Sequence, residues 1–361
     1  MSLPLLDRFS FVRSCEIKLP LPSPFLWERE MEKKSEAYMK KFDYLKPKTL
    51  EEALTLFTKY GEKAKLIAGG TDVIVMMKQK TMAPDVLISL QGISGLDQIK
   101  SNGTLSIGPM VTHRAIEKSE IIRKNFSALT DAADYLGSIQ IRNVATIGGN
   151  ICTAAPSADT ATPLLVLGTQ IKIKSLKKER TISIEEFFKG PGETMLEPGE
   201  IVQELLIPKL LPNTGSAYYK LQRRLALDLP LLGVSVLLSL DKDKITCSDM
   251  LCTASPISSI LHKMEEDNVV CKEVRIALGV AAPTPWRAAK AEGLLRGKKL
   301  SDELLEEAAE TAAIEAQPRD TVRGEAWYRR DMIKVMVKRM AMKSIERVIQ
   351  PEATVFPERL W

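Results

Sequence analysis

The sequence predicts an α+β protein of more than one domain, on three observations. Its 361 residues are 45% hydrophobic, enough to bury a sizeable core without disulfide or metal staples. Alternating apolar runs such as LGVSVLLSL (232–240) and VRIALGV (274–280) recur between short polar loops, the pattern of strands. From Pro285 the period changes to that of helices and holds to the end of YRRDMIKVMVKRMAMKSIERV (328–348).

Taken in order, residues 1–41 read as an extension: apolar, Pro-containing LPLPSPFLW (19–27), then charged EREMEKKSEAYMKK (28–41), which suits a short helix. The first compact unit begins at Phe42. After a strand-like opening and Pro47, Thr49 serves as helix N-cap, Glu51 and Glu52 favour the first turn, and Gly61 stops the helix. An apolar strand at 66–68 runs into Gly69 and Gly70 and a second amphipathic segment; VLISL (86–90) follows Pro84 as a strand. LSIG (105–108) precedes one long helical stretch at about 112–136, so a βαβ-like unit leads into α+β material.

A second glycine-rich turn occupies ATIGGNICTAAPSADTATPLLVLG (145–168). IKIKSL and RTISIEEFF alternate as strand and short helix, and EIVQELLIP (200–208) closes the unit at Pro208. PKLLPNTGS, with two prolines, Asn213 and Gly215, is the boundary, giving units of 42–212 and 213–345 and a tail of 346–361. SAYYKL, LGVSVLLSL, ITCSDMLC and VRIALGV then form a small antiparallel sheet, followed by helices at 286–300, 301–316 and 328–348. In the last, Ile333, Val337 and Met340, with Met336 beside them, form a core stripe.

The net charge of +5 comes from 51 basic and 46 acidic residues. Residues 323–348 alone hold eight Lys or Arg against three acidic residues, an excess that reads as a solvated helix face with a part in partner packing. Aromatic interleaving and any nucleic-acid motif are missing there. No apolar run approaches the length of a bilayer span. The five cysteines, at 15, 152, 247, 252 and 271, make an odd count without a CxxC pair, and Asp7, Arg8, Arg13 and Glu16 interrupt any signal-peptide pattern. These features predict a cytoplasmic protein that holds no metal or iron–sulfur cluster itself.

Two Gly-Gly pairs carry the chemistry. AGGTD (68–72) alone reads either as a plain tight turn or as a nest in which successive backbone N–H groups face one concavity and Thr71 adds a hydroxyl. TIGGN (146–150) repeats the arrangement and is extended by Thr153, Ser157, Asp159 and Thr160. Such nests suit the phosphates of a dinucleotide, while neither GxGxxG nor GxxxxGK[ST] is present. Asp159 reads equally as an acceptor for sugar hydroxyls or as the N-cap of the following helix. Lys220, in YYKLQRRLALD, reads as a cation for the cofactor or as part of a strand-end ion-pair cluster in which Asp228 meets Arg223 or Arg224. His113 and His262 read as structural or solvent-facing, and no triad, HExxH or paired carboxylates suggest hydrolysis. Binding machinery without acid–base machinery suits a redox cofactor that brings its own chemistry.

LIAGGTD (66–72), ATIGGNICTAAPSADTATPLL (145–165), YYKLQRRLALD (218–228) and RIALGVAAPTPWRAAKAEGLLRGK (275–298), in that order, resemble the FAD-binding medium subunit of the molybdenum hydroxylases, the group of carbon monoxide and xanthine dehydrogenases. The resemblance covers roughly 42–345. It implies a two-part FAD-binding region of the vanillyl-alcohol-oxidase (PCMH) type, then a C-terminal antiparallel sheet with helices. It implies cofactor binding by Leu66, Ile67, Ala68, Gly69, Gly70, Thr71 and Asp72 on one side and by Thr146, Gly148, Gly149, Asn150, Thr153 and Asp159 on the other, with Lys220 near the flavin and Leu136 and Ile201 flanking its ring. FAD, bound noncovalently, is the one cofactor implied for this chain. The molybdenum cofactor and [2Fe–2S] clusters are implied for a large and a small partner in a dimer of heterotrimers, with electrons passing to or from a carrier such as NAD or a quinone. A stand-alone FAD oxidoreductase and a scaffold that has lost FAD remain open alternatives at this point.

Overall fold

The computed structural model describes residues 39–224, 226–241 and 269–349. The chain divides into Met1–Lys40 and Lys41–Trp361, and every sheet and helix of the described residues belongs to the second unit. The helix expected within 28–41, the ITCSDMLC strand, Cys15, Cys247, Cys252 and His262 lie outside the described residues, apart from the last few positions of the first.

The opening unit is a parallel sheet. Strands β1 (Asp43–Leu45), β2 (Ala64–Ile67) and β3 (Val86–Ser89) lie in the order β1-β3-β2. Helix α1 (Leu50–Tyr60) links the first two; Thr49 caps it through the N–H of Glu52, and Gly61 ends it at φ 52°. Helix α2 (Val73–Lys78) leaves the first glycine turn. Leu54, Ile88 and Ile201 share this unit's core.

A five-stranded antiparallel sheet follows, built from β4 (Ile99–Asn102), β5 (Thr104–Ile107), β6 (Gln170–Lys174), β7 (Glu179–Ser183) and β10 (Ile201–Ile207) in the order β4-β5-β10-β6-β7, beside a small pair, β8 (Phe188–Gly190) and β9 (Glu193–Thr194). The EIVQELLIP segment thus forms the sheet's central strand, with Leu205 between Ile107 and Ile171. The long helix expected at 112–136 is instead three: α3 (His113–Lys118), α4 (Glu120–Asn125) and α5 (Ser127–Tyr135). Ser119 ends the first and caps the second, and Phe126, at φ −136°, breaks the second from the third.

Helices α6 (Ile139–Val144), α7 (Ile147–Thr153), α8 (Ala161–Val166) and α9 (Ile184–Phe187) complete this part. The remaining sheet is antiparallel, in the order β11 (Thr214–Leu221), β12 (Leu232–Leu240), β13 (Cys271–Gly279), β14 (Trp286–Arg287). Against it pack α10 (Ala289–Leu295) and α12 (Ala326–Ile349), with α11 (Asp302–Glu315) on α10 and α12.

Ile333, Met336, Val337 and Met340 are buried in this core, as the stripe predicted. The last helix runs to Ile349, beyond the residue 345 boundary read from the sequence. It approaches β11 closely: a Cβ on Gly215 would stand 1.9 Å from the Ser344 carbonyl oxygen. The basic excess of residues 323–348 is divided: Arg323, Arg330 and Lys334 are exposed, as the solvated-face reading expected, while two of the eight basic side chains turn into the protein. Arg329 and Arg347 are buried, Lys338 meets Asp302 and Glu306, and Lys343 pairs with Glu346. No helix among the described residues is long and apolar enough to cross a membrane.

Candidate functional site

The two glycine motifs meet. Strand β2 delivers Leu66 and Ile67 into the turn Ala68–Asp72, where Gly70 holds φ 75°, a left-handed conformation that favours glycine. Gly69 lies against α6 so tightly that a Cβ would stand 1.9 Å from the Val144 carbonyl oxygen. A Cβ on Gly149 would in turn face the first motif, 3.8 Å from Ala68 Cβ. Thr153 closes the contact: its hydroxyl lies 2.9 Å from the Gly149 carbonyl and 3.1 Å from Asp72 Oδ2, two acceptors that share its one proton.

The two motifs are built differently, however. The N–H groups of Gly69, Gly70 and Thr71 reach no acceptor among the described residues, which leaves three half-buried donors in one turn for an anion. TIGGN is the start of α7 rather than a second nest, because the protein already uses its donors. Ile147 N–H goes to Val111, Gly148 N–H to Pro109, Gly149 N–H to the Thr146 hydroxyl and Asn150 N–H to the Thr146 carbonyl. Gly148 points away from the cradle, under Pro109, where a Cβ would stand 2.4 Å from the proline Cβ. Gly149 leaves room beside the first turn, and Asn150, held by a 2.6 Å bond from Thr160, and Thr153 supply side-chain polarity.

Asp159 and Lys220 form the second part of the site. Lys220 is 2% exposed and Asp159 6%; the ammonium donates to Asp159 Oδ2 at 3.0 Å and to the Tyr135 carbonyl at 3.3 Å. Tyr218 donates its hydroxyl to Asp159 Oδ1 at 2.8 Å. Burial pushes the Asp159 carboxyl up, and Lys220 and Tyr218 oppose that rise. The N-cap reading of Asp159 fails, since Thr160 occupies that position and gives α8 no side-chain cap. The ring of Tyr135 makes edge contacts with Tyr218 and Tyr219, and Leu136, buried, follows it directly. Ile201 packs with Leu54 and Ile88, with Leu66 half-buried against the same cluster, so the structure places it behind the first motif and not at the ion pair. Asp228 receives both Arg223 and Arg224, at 3.8 and 3.9 Å, where the ion-pair reading expected one, and Lys220 pairs with Asp159 instead of joining that cluster.

Sequence reasoning missed the parts played by Tyr218, Tyr135 and the carbonyls of Pro109 and Val144. The YYK run was the one signal available for the first. His113 is fully buried, which removes its solvent reading. Its ring nitrogens have no hydrogen-bond partner among the described residues, and the Thr146 main chain approaches without bonding geometry. Burial, against a weak pull from Thr146 and with Arg142 nearby, takes His113 from 6.5 down to about 4. Cys152 and Cys271 are free, and burial pushes each thiol up to about 12. Among the described residues no group of three or more His, Cys, Asp or Glu side chains is arranged to hold a metal.

Residues 40–210 match the family described as FAD binding domain in molybdopterin dehydrogenase, and 251–344 match the CO dehydrogenase flavoprotein C-terminal domain. The xanthine dehydrogenase FAD-binding subunit of Escherichia coli O157:H7 is 30% identical over 305 residues, 84% of this chain and 95% of that one. The chain belongs to the FAD-binding subunits of the molybdenum hydroxylases. Another relative of this flavoprotein, the carbon monoxide dehydrogenase medium chain of Hydrogenophaga pseudoflava, is 30% identical over 83% of this chain and 95% of its own. The solved structure of that dehydrogenase lacking the Mo-pyranopterin moiety superposes with a TM-score of 0.75 at 29% identity, covering 86% of this chain and 99% of the other. Quinoline 2-oxidoreductase from Pseudomonas putida 86 gives 0.74 at 25% identity, with the same coverage. The fold of the flavoprotein is therefore the mixed helix-and-sheet fold of the carbon monoxide dehydrogenase FAD subunits.

Two outcomes follow for the FAD-binding subunit. Asp159→Leu strands the Lys220 ammonium and lowers unfolding free energy by roughly 3–5 kcal/mol in urea titrations, whereas Asp159→Leu with Lys220→Met recovers most of it; equal losses in both contradict the pairing. His113 is neutral when folded, so the unfolded chain takes up its proton first as pH falls. Its stabilisation is present above pH 6.5 and lost between 6.5 and about 4, a loss of about 3 kcal/mol that His113→Gln removes from the urea-stability profile.

Proposed function

We propose that this chain is the electron-transfer subunit of a multi-subunit molybdenum hydroxylase, partnered by a large subunit with the molybdenum cofactor and a small one with [2Fe–2S] clusters, in a cytoplasmic dimer of heterotrimers. FAD, bound noncovalently, supplies the electron exchange between those clusters and an external carrier such as NAD or a quinone. Residues 42–212 are proposed as a PCMH-type FAD-binding domain and 213–345 as the C-terminal domain, whose last helix continues to Ile349 before the tail, with an extension at 1–41.

The observation that carries this reading is the turn of Gly69, Gly70 and Thr71, whose N–H groups reach no acceptor among the described residues, beside Gly149, where a Cβ would stand 3.8 Å from Ala68 Cβ. That cradle fits a pyrophosphate: the three N–H groups donate to its oxygens, and Gly149 lets them approach. Asn150 and Thr153 stand at its edge to hold sugar hydroxyls, and Asp72 orients Thr153. Asp159 anchors Lys220 rather than meeting the cofactor alone, and two of the three ammonium donors are used, by Asp159 and Tyr135. The third is left to stabilise negative charge on a bound flavin ring. Leu136, buried next to Tyr135 in the chain, is proposed as an apolar wall for the flavin ring, and Ile201 belongs to the core against which Leu66 of the entering strand packs.

Purified protein is expected to show flavin absorption bands, with equimolar FAD released on denaturation; folded, colourless protein that refuses added FAD contradicts the reading. Gly149→Ala separates the site from the fold. Alanine favours a helix by about 1 kcal/mol over glycine, while its Cβ would stand 3.1 Å from the capping Thr146 hydroxyl, so the two effects oppose and apoprotein stability changes by no more than about 1 kcal/mol. The added methyl, with Ala68 across from it, weakens FAD binding about tenfold or more, read by titration. Unchanged affinity sinks the cradle.

A further inference from the structure

The last helix reaches the proposed flavin site through one buried arginine. Arg347 is 4% exposed; its guanidinium donates to both Asp131 carboxylate oxygens, at 2.6 and 2.8 Å, and to the Ser216 carbonyl at 2.7 Å. Asp131 stands on α5, and its Oδ2 also accepts the N–H of Tyr218 at 3.1 Å. Ser127, at the start of α5, donates to the same Ser216 carbonyl at 2.7 Å. Helix α5 is thereby fastened to β11 at two levels.

Besides Asp159, which lies on neither, these two elements fix Lys220. Strand β11 carries Lys220 itself and Tyr218, while α5 ends in the Tyr135 carbonyl that receives the ammonium. We infer that Arg347 is a positioning residue for the flavin site: by clamping α5 to β11 it sets where the Lys220 ammonium stands between Asp159 and Tyr135. A lysine at 347 has the charge but not the planar fork that serves Asp131 and Ser216 together. The inference rests on the proposed FAD-binding function.

The test uses the full chain, stripped of flavin and titrated with FAD. The variants are Arg347→Lys and the double variant Asp131→Asn with Arg347→Gln, which leaves no lone buried charge if the single change unfolds the protein. Lys338→Gln, on the same helix but on a surface ion pair, is the control. Both Arg347 variants are expected to bind FAD about tenfold more weakly, to shift the visible bands of bound flavin, and to lower its midpoint potential because the Lys220 charge is less well placed. The control matches wild type. A variant with wild-type FAD affinity, spectrum and potential overturns the inference, even where its apoprotein melts at lower temperature, since that result marks a purely structural arginine. Wild-type protein that takes up no FAD overturns the underlying reading instead.

Discussion

Burying an ammonium group costs several kcal/mol unless a carboxylate and further acceptors surround it, and Lys220 is buried with its charge met by Asp159. The two residues come from different parts of the chain, Asp159 from the loop that ends the second glycine motif and Lys220 from the first strand of the C-terminal sheet. Their pairing therefore ties the glycine cradle to that sheet. Tyr218 supports the same carboxylate and Tyr135 the same ammonium. Loss of one partner removes a large share of the roughly 5–15 kcal/mol by which a folded protein exceeds its unfolded state. In the proposed function the pair also joins stability to cofactor chemistry, because a fixed, desolvated positive charge stabilises developing negative charge far better than one in water.

The glycine motifs divide the remaining work. In the first, glycine is required by a positive φ and by the closeness of Val144, and the turn leaves its N–H groups unspent. In the second, glycine allows Pro109 and the first motif to come near, and the helix spends its N–H groups on the protein itself. One motif donates and the other makes room. The cradle therefore depends on the backbone path of α6 and of Pro109 as much as on the glycines.

Much of this was legible beforehand. Thr49 and Gly61 delimit the first helix through local capping, and alternation marks β11, β12 and β13, because both signals are local. Other features were hidden because distant contacts override local preference. Two glycines are poor helix formers, yet TIGGN begins a helix because Thr146 caps it and the Pro109 and Val111 carbonyls take its first donors. Ser119 and Phe126 divide a stretch whose apolar spacing is continuous and which contains no glycine or proline between them. Asp159 and Lys220 lie 61 residues apart, and Arg347 and Asp131 lie 216 apart; no spacing rule joins such partners. The family resemblance supplied the candidate residues, but not the difference in hydrogen bonding between the two glycine pairs.

Site-resolved amide hydrogen exchange with and without FAD tests the central claim most directly. The account predicts that FAD protects the amides of Gly69, Gly70 and Thr71, which reach no acceptor among the described residues, and leaves those of Gly148, Gly149 and Asn150 little changed because they are already bonded. Protection confined to the second motif, or none at Gly69–Thr71 at saturating FAD, would contradict it.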